Sequence, residues 1–306
     1  MSIITKIKKF IVDPQIRFGY LTKLGFYNNM SDEKYLKRKF KLVMGKELNL
    51  ENPQTFNEKL QWLKLHDRKP EYTTMVDKYK VREYIKEKLG EEYLIPLLGV
   101  WDDPDEIDFD ALPNQFVLKC NHNSGTGMYI CKDKSKLDIK KVKAELRKGL
   151  KEDYYLYGRE WPYKDVPRKI ICEKYMVDES GYELKDYKVW CFNGDPKYIQ
   201  IISGRDSGNT YEAFYNFNWT KHEFYLHNKP LKENCVKPSN LDLIIENAKI
   251  LSEGKAFSRC DFYIIGDGSI RFGEITFYPM CGFESFTPEE WDYKLGSYIN
   301  LPKVNE

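Results

Sequence analysis

The stretch FSRCDFYIIGDGSIRFGEITFYPMCGF, residues 257–283, constrains the fold more than any other. Two strand-like runs flank Gly266-Asp267-Gly268-Ser269, and Asp-Gly favours the positive φ angles of a tight hairpin turn. A two-residue loop (267–268) and a four-residue loop (266–269) give the same register, with partner numbers summing to 535. Asp261 then lies opposite Glu274, and Arg259 opposite Thr276. All four share one face, because strand side chains alternate with period two. Like charges directly opposed across a ladder destabilise it. A cation must therefore compensate, either a bound metal or Arg259 with nearby lysines.

Other punctuation signals divide the rest of the chain. Residues 1–74 read as mainly helical, with a capping box at Thr55-Phe56-Asn57-Glu58 ahead of Leu60, Trp62 and Leu63. A helix over 78–89 ends at Gly90, a usual residue just past a helix. Strands are predicted at 94–101, 116–119, 128–131 and 169–176. Residues 186–192 and 197–202 form a hairpin around Asn193-Gly194. Helices are predicted over 134–151 and 241–253, the latter with Leu241, Ile244, Ile245, Ala248 and Leu251 on one stripe. The fold class is α+β with mostly antiparallel pairing. A domain over 75–302 follows the helical region, its first part spanning 75–175 and its second 176–302.

Of 306 residues 42% are hydrophobic and 31% charged, which suits one large domain or two to three subdomains. A net charge of +2 implies no general polyanion-binding field, so nucleic acid is not an expected partner. Seven cysteines without a C-x-x-C pair argue against a disulfide framework, and four scattered histidines against a zinc site. A reduced, cytoplasmic setting is expected. No apolar run of 18 residues is present, and the N-terminus lacks the continuous apolar core of a signal peptide. Ile3, Ile4, Ile7, Phe10 and Ile11 do fall at helical spacing. Lys6, Lys8, Lys9, Arg17 and Lys23 against Asp13 give +4 over the first thirty residues. Residues 1–23 are thus either an amphipathic helix resting on an anionic membrane or a terminal helix packed on the body.

Three segments carry candidate chemistry. In FVLKCNHNSGTGMYI a strand ends at Lys119, and a loop with Ser124, Gly125, Thr126 and Gly127 follows. Glycines let backbone N–H groups approach a phosphate, and Lys119 supplies charge at the loop base. The spacing is not that of a P-loop, and taken alone the segment fits an ordinary hairpin loop better. Asp261 and Glu274 suit a hard cation such as Mg²⁺, which takes oxygen ligands and shares them with phosphates. Thr276 adds a neutral oxygen, and Arg259 lies where negative charge builds up during phosphoryl or acyl transfer. The third is IICEKYM (170–176), a buried strand leaving on Tyr175 and Met176.

In this order the segments resemble the ATP-grasp fold, in its TupA-like branch of teichuronopeptide and capsular polysaccharide biosynthesis. The residues that carry the resemblance are NPQTFNEKLQW (52–62), DKYKVREY (77–84), LIPLLGVWDD (94–103), FVLKCNHNSG (116–125), DYKVWCFNG (186–194) and RCDFYIIGDGSIRFGEITFYP (259–279). The resemblance implies antiparallel sheets sandwiching ATP. It gives Lys119 and Lys78 to the phosphates and residues 121–127, with Asn123, Ser124, Gly125 and Gly127, to the covering loop. Glu173, Lys174, Tyr175 and Met176 would form the adenine hinge. Asp186 and Lys188 would serve the ribose and phosphates. Asp261, Glu274 and Thr276 would hold Mg²⁺, although many members have Asn at the place of Thr276. Arg259, with Lys119, would support the chemistry.

The implied reaction joins an amine, such as an amino acid, to a uronic acid carboxylate of a cell-surface glycan or its precursor, through an acyl phosphate. A glycosyltransferase or a sugar kinase of the same pathway is the competing expectation. No usual D-x-D motif is present: Asp103-Pro104-Asp105 has the spacing but sits in a proline-interrupted loop.

Overall fold

The computed structural model describes residues 10–205 and 208–303. Residues 1–9 lie outside it, and with them most of the expected amphipathic stripe. Helices come first: α1 (Pro14–Lys23), α2 (Asp32–Met44), α3 (Phe56–His66), α4 (Glu71–Val76) and α5 (Val81–Lys88). Two of their starts have a clear local cause. Asp13 caps α1 by accepting the Gln15 and Ile16 amides at 2.9 and 3.1 Å. The capping box of α3 is complete, with Glu58 returning to the Thr55 amide at 3.0 Å. Thus α1 and α2 bury Phe18, Tyr35, Leu36 and Phe40 in a core of their own.

A four-stranded antiparallel sheet follows, built from β1 (Leu97–Trp101), β2 (Phe116–Cys120), β3 (Met128–Cys131) and β4 (Ile170–Lys174), in the order β1-β4-β2-β3. One face, with Phe116, Leu118, Ile170 and Cys172, packs on Val142 and Leu146 of α6 (Ile139–Lys151). Alternation leaves Val117, Lys119 and Glu173 on the other face. The expected helix over 134–151 is interrupted. Lys134–Lys136 is a 3₁₀ turn, and Asp138 restarts the helix by accepting the Lys141 amide at 3.0 Å. The expected strand over 94–101 starts only at Leu97, and that over 169–176 spans Ile170–Lys174.

The larger sheet contains β5 (Asp186–Phe192), β6 (Asp195–Ser203), β7 (Tyr211–Tyr215), β8 (Lys221–His222), β10 (Phe257–Ile264) and β11 (Ile270–Thr276), in the order β11-β10-β5-β6-β7-β8. A short β9 (Lys229–Pro230) pairs parallel to β7. Asn193 (φ 52°) and Gly194 (φ 79°) turn the β5–β6 hairpin as the Asn-Gly pair requires. Helix α8 (Leu241–Ser252) covers the back of the sheet with Ile244, Ala248 and Leu251 fully buried, each large apolar side chain contributing about 1.5–3 kcal/mol. On the other side Phe56 of α3 meets Trp190 and Phe257 at ring distances of 5.4 and 4.9 Å. Helix α9 (Glu290–Ser297) crosses α3 so closely that a Cβ on Gly296 would lie 2.3 Å from the Gln54 carbonyl. The short strands β7–β9, the helix α9 and the turn α7 (Tyr154–Gly158) have no counterpart in the sequence reading.

All seven cysteines are free thiols. Among the described residues no helix is long and apolar enough to cross a membrane.

Candidate functional site

The β10–β11 hairpin brings Asp261 and Glu274 together, but not by the expected turn. Ile264 pairs with Ile270, Tyr263 with Arg271 and Phe262 with Phe272, while the Ile265 amide donates to the Ser269 carbonyl at 3.0 Å. The loop is therefore three residues, 266–268, neither two nor four. Gly268 closes it at φ 82°, its amide donating to Ile265 at 2.7 Å. Continued, that register would place Gly273 opposite Asp261. Instead the ladder shifts by one residue between Asp261 and Phe262, so that Asp261 faces Glu274 and Arg259 faces Thr276. Gly273 is the extra residue of this bulge. A Cβ there would lie 3.0 Å from the Asp261 carbonyl and 3.1 Å from the Tyr263 ring, which is why glycine serves.

The carboxylates are neutralised by side chains already in place. Arg259 grips Asp261 through Nε and Nη2 at 2.7 and 2.8 Å, and Nη2 also reaches Glu274 Oε1 and Thr276 Oγ1, each at 3.1 Å. The Thr276 hydroxyl donates to Glu274 Oε1 at 3.1 Å. On the other side Lys188 bonds Asp261 and stands 3.4 Å from Asp186, which pairs with Arg205 at 3.0 Å. Charge thus alternates along Arg205, Asp186, Lys188, Asp261, Arg259 and Glu274. The strain expected of the opposed carboxylates is absent, because Arg259 lies between them.

The pair is unequal. Asp261 is 1% exposed and wrapped by Arg259 and Lys188, whereas the Glu274 side chain is 35% exposed and its Oε2 takes no donor among the described residues. Burial works to raise the Glu274 pKa, but Lys78, Lys188 and Arg259, with the Thr276 hydrogen bond, outweigh it and hold it at about 2. Glu274 is therefore an open, ionised carboxylate.

The small sheet carries a second group of charges. Lys119 Nζ pairs with Glu173 at 2.6 Å, and Arg82 stands 3.6 Å from the same carboxylate. Lys78 links the two sheets: burial lowers its pKa, the Lys119 charge acts the same way, and Glu274, Glu173 and Asp77 oppose the shift. Its Nζ donates to the Asn123 carbonyl at 2.6 Å. Asp77 fixes the segment by accepting the Tyr79 amide at 2.9 Å and the Asn121 amide group at 2.8 Å.

Within 121–127 the expected loop residues divide. Asn121 and Asn123 are buried, and Asn123 donates to Gly149 at 3.3 Å and to Glu152 at 3.1 Å, so its side chain pins the loop to the end of α6. Thr126 donates to Glu152 at 3.3 Å. Gly127, at φ 71°, lies where a Cβ would meet Cys120 Sγ at 2.6 Å and Gly149 Cα at 2.9 Å. Ser124 and Gly125 are exposed at the tip.

At the expected hinge, Glu173 spends its carboxylate on Lys119 and Arg82, and the Lys174 amide donates to Pro96 at 3.0 Å. Tyr175 and Met176 are half-buried, and their backbone amides have no protein acceptor among the described residues. Lys174 and Tyr175 also line a groove of about 460 Å³ with Leu98, Pro113, Asn114 and Gln115.

Ion pairs and charge interactions that meet at Lys78 thus link Lys119 and Glu173 with Asp186, Lys188, Arg259, Asp261, Glu274 and Thr276. Sequence reasoning missed Glu152, Arg82 and Arg205. Their partners lie 26 or more residues away for Glu152, 91 for Arg82–Glu173 and 19 for Arg205–Asp186, and no local pattern announces such pairs.

The family model described as TupA-like ATPgrasp matches residues 58–300. Solved structures that resemble the chain include D-alanyl-alanine synthetase A from Vibrio cholerae, with 14% identity over 68% of this chain and 56% of that one, at a TM-score of 0.41. D-alanine–D-alanine ligase from Bacillus anthracis complexed with ATP has 17% identity over 66% and 55%, at 0.39. The ATP-grasp ligase PsnB complexed with minimal precursor has 12% identity over 68% and 54%, at 0.38. The chain thus spans about half the length of these structures. No curated protein is matched.

Proposed function

The chain belongs to the TupA-like ATP-grasp family, and from that premise we propose that it is an ATP-dependent carboxylate–amine ligase. The proposed reaction makes an amide through an acyl phosphate and releases ADP and phosphate. The observation that carries the reading is Lys78, which feels the charge of the open carboxylate Glu274, set opposite Asp261 on the large sheet, and those of Lys119 and Glu173 on the small one.

Glu274 offers the free hard oxygen that magnesium takes, and Asp261, directly opposite, would join it by exchanging one of its contacts with Arg259 or Lys188. No group of three or more His, Cys, Asp or Glu set to hold a metal occurs among the described residues. Two carboxylates suit an ion that completes its shell with phosphate oxygens. When bound, Mg²⁺ would neutralise phosphate charge. In this reading Lys78 and Lys119 bind the phosphates, and the amides of Ser124, Gly125 and Gly127 close over them. Asn123 acts through its carbonyl, which orients Lys78. In the same reading the free amides of Tyr175 and Met176 bind the adenine edge, Glu173 holds Lys119, and Asp186 and Lys188 serve the ribose and phosphates. Thr276 orients Glu274, its hydroxyl being engaged there. Arg259 stabilises the developing oxyanion as the amine adds.

We place the acceptor among uronic acids of a cell-surface glycan or its precursor and the nucleophile among amino acids or similar amines, in the cytoplasm. Peripheral membrane contact through residues 1–23 belongs to the same proposal: Ile11 and Val12 are 63% and 78% exposed, although Phe18 packs inward. ADP release measured against a panel of uronic acids and amino acids, with mass analysis of the product, tests the reading. An amide product supports it. A phosphate ester on a hydroxyl, formed without amine, would establish a sugar kinase instead.

A further inference from the structure

At the end of the large sheet where β5 turns into β6, four segments meet around a cavity of about 250 Å³. They are the link from α3 to α4, with Asp67 and Lys69, the turn at Asn193, the link from α8 to β10, with Gly254 and Lys255, and the C-terminal segment at Asn300. Hydrogen bonds fix these walls. The Asn193 amide donates to the Ala256 carbonyl at 2.9 Å, and its side-chain oxygen accepts the Asn300 amide at 2.9 Å. Lys69 Nζ ties the α3–α4 link to the Gly254 carbonyl at 2.7 Å. The cavity lies apart from the charge network. From Phe257, where β10 begins beside it, Asp261 is four residues on, about 13 Å along an extended strand.

Two lining residues are buried ionisable groups of opposite sign that do not satisfy each other. Lys255 is 6% exposed, and its Nζ donates only to the Glu253 carbonyl, at 3.1 Å. Asp67 is 8% exposed. Its Oδ2 accepts the Tyr72 hydroxyl at 3.0 Å, and its Oδ1 takes no donor among the described residues. Among those residues neither group forms an ion pair, with the other or with a third. Buried charges are ordinarily paired, because leaving water is costly. Burial accordingly raises the Asp67 pKa and lowers that of Lys255. The charge of Lys69 acts on both, but its Nζ is engaged at Gly254. Glu71 and Glu253, the carboxylates that act on Lys255, are exposed to solvent. The cavity is thus lined by an ammonium and a carboxylate, each without a counter-ion.

We propose that this cavity binds a free α-amino acid as its zwitterion, with the ligand carboxylate on Lys255 and the ligand ammonium on Asp67. Such a ligand supplies both missing charges at once, through charge-assisted hydrogen bonds. An anion alone would leave Asp67 unpaired, and a cation alone would leave Lys255 so. The volume is below the roughly 300–1,000 Å³ of sites for drug-sized ligands and suits an amino acid with a small side chain. The site goes beyond the ligase reading and does not depend on it. With β10 between them, about 13 Å or more from Asp261, its occupant is too far away to offer its nitrogen to an acyl phosphate there. This amino acid is bound and not consumed.

Calorimetric titration of the full chain with L-alanine at pH 7, without nucleotide, tests the site. Alanine should saturate the wild type. Propionate and ethylamine each carry one of its two charges and should bind about tenfold more weakly or worse. Lys255→Met should weaken alanine binding about tenfold or more. Its unfolding midpoint without ligand should be equal or higher, since the change removes an unpaired buried charge. Glu274→Gln, remote from the cavity, should bind alanine as the wild type does. No saturation by alanine, equal binding of propionate or ethylamine, or equal alanine affinity in Lys255→Met overturns the site. Should Lys255→Met not fold, Asp67→Asn decides: it keeps an acceptor for Tyr72, and undiminished alanine affinity there overturns the site as well. Loss of alanine binding in Glu274→Gln but not in Lys255→Met would also overturn it, by placing the amino acid at the reaction centre. The ligase reading fails on a different result, a wild type that binds no ATP analogue and releases no ADP.

Discussion

Asp261 and Glu274 stand directly opposite across β10 and β11, and the Arg259 guanidinium bonds both, at 2.7–2.8 Å and 3.1 Å. One cation thus turns a repulsive pair into a bridged one while leaving Glu274 Oε2 open. The arrangement is stable without a metal and remains able to accept one.

Glu274→Gln should abolish Mg²⁺-ATP-dependent turnover, lowering it at least a hundredfold, because it removes the open charged oxygen. Stability without ligand should fall slightly, by about 0–1 kcal/mol, since the group is a third exposed and Gln still accepts from Arg259. Thermal unfolding with and without Mg²⁺-ATP checks both. The nucleotide should raise the wild-type Tm and leave the variant nearly unmoved. Full activity in the variant would place the metal elsewhere.

Acid titration should expose the same carboxylate. Its folded pKa of about 2 lies below the ordinary 4.5, so its ionised form favours the folded state. That contribution is complete above about pH 4.5 and is lost as pH falls toward 2. The wild type should therefore lose more stability than Glu274→Gln between those values, which denaturant unfolding at stepped pH would measure. Parallel curves would remove Glu274 from the charge network.

Gly273→Ala should misplace Glu274 without altering any charge. The new methyl meets the Asp261 carbonyl and the Tyr263 ring at 3.0 and 3.1 Å, at a cost of about 1–3 kcal/mol. Turnover should fall about tenfold or more, with little change at Ser269→Ala beside the loop as a control. Denaturant midpoints and ADP release report the two effects. Unchanged values in Gly273→Ala would mean that the bulge is not needed to align the pair.

Lys119→Ala should weaken ATP binding at least tenfold and also destabilise the fold by about 1–3 kcal/mol, because Glu173, its partner at 2.6 Å, is left with Arg82 at 3.6 Å. Adding Glu173→Gln should recover much of the stability and none of the affinity. Calorimetry on the double variant separates the two. Recovered affinity would show that Lys119 serves Glu173 alone.

Short-range chemistry made much of this protein readable from its residues. The capping box at Thr55, the Asn193-Gly194 turn, the strand ending at Lys119 and the apolar stripe of α8 each depend on neighbours a few positions apart, and each has its structural counterpart. The charged segment 134–151 misled, because Asp138 caps a new helix within it and Asp133 caps a separate turn just before it. The hairpin reading reached the correct pair by a wrong turn. Its loop is one residue off, and the bulge at Gly273 restores the offset. A glycine in a strand hints at a bulge, but only the crowding between the Tyr263 ring and the Asp261 carbonyl shows why it occurs there.

By itself, then, the sequence determined the strands other than β7–β9, the family motifs and the face shared by Arg259, Asp261, Glu274 and Thr276, since strand periodicity and turn chemistry are local. Only the tertiary structure decided which charges meet. Lys78 arrives between the sheets, Lys188 takes one side of Asp261, and Glu152 fastens the glycine loop. Such contacts join residues tens to more than a hundred positions apart. They are set by the packing of α3, α6 and the two sheets, and a Coulomb interaction depends on distance in space, whatever the separation along the chain.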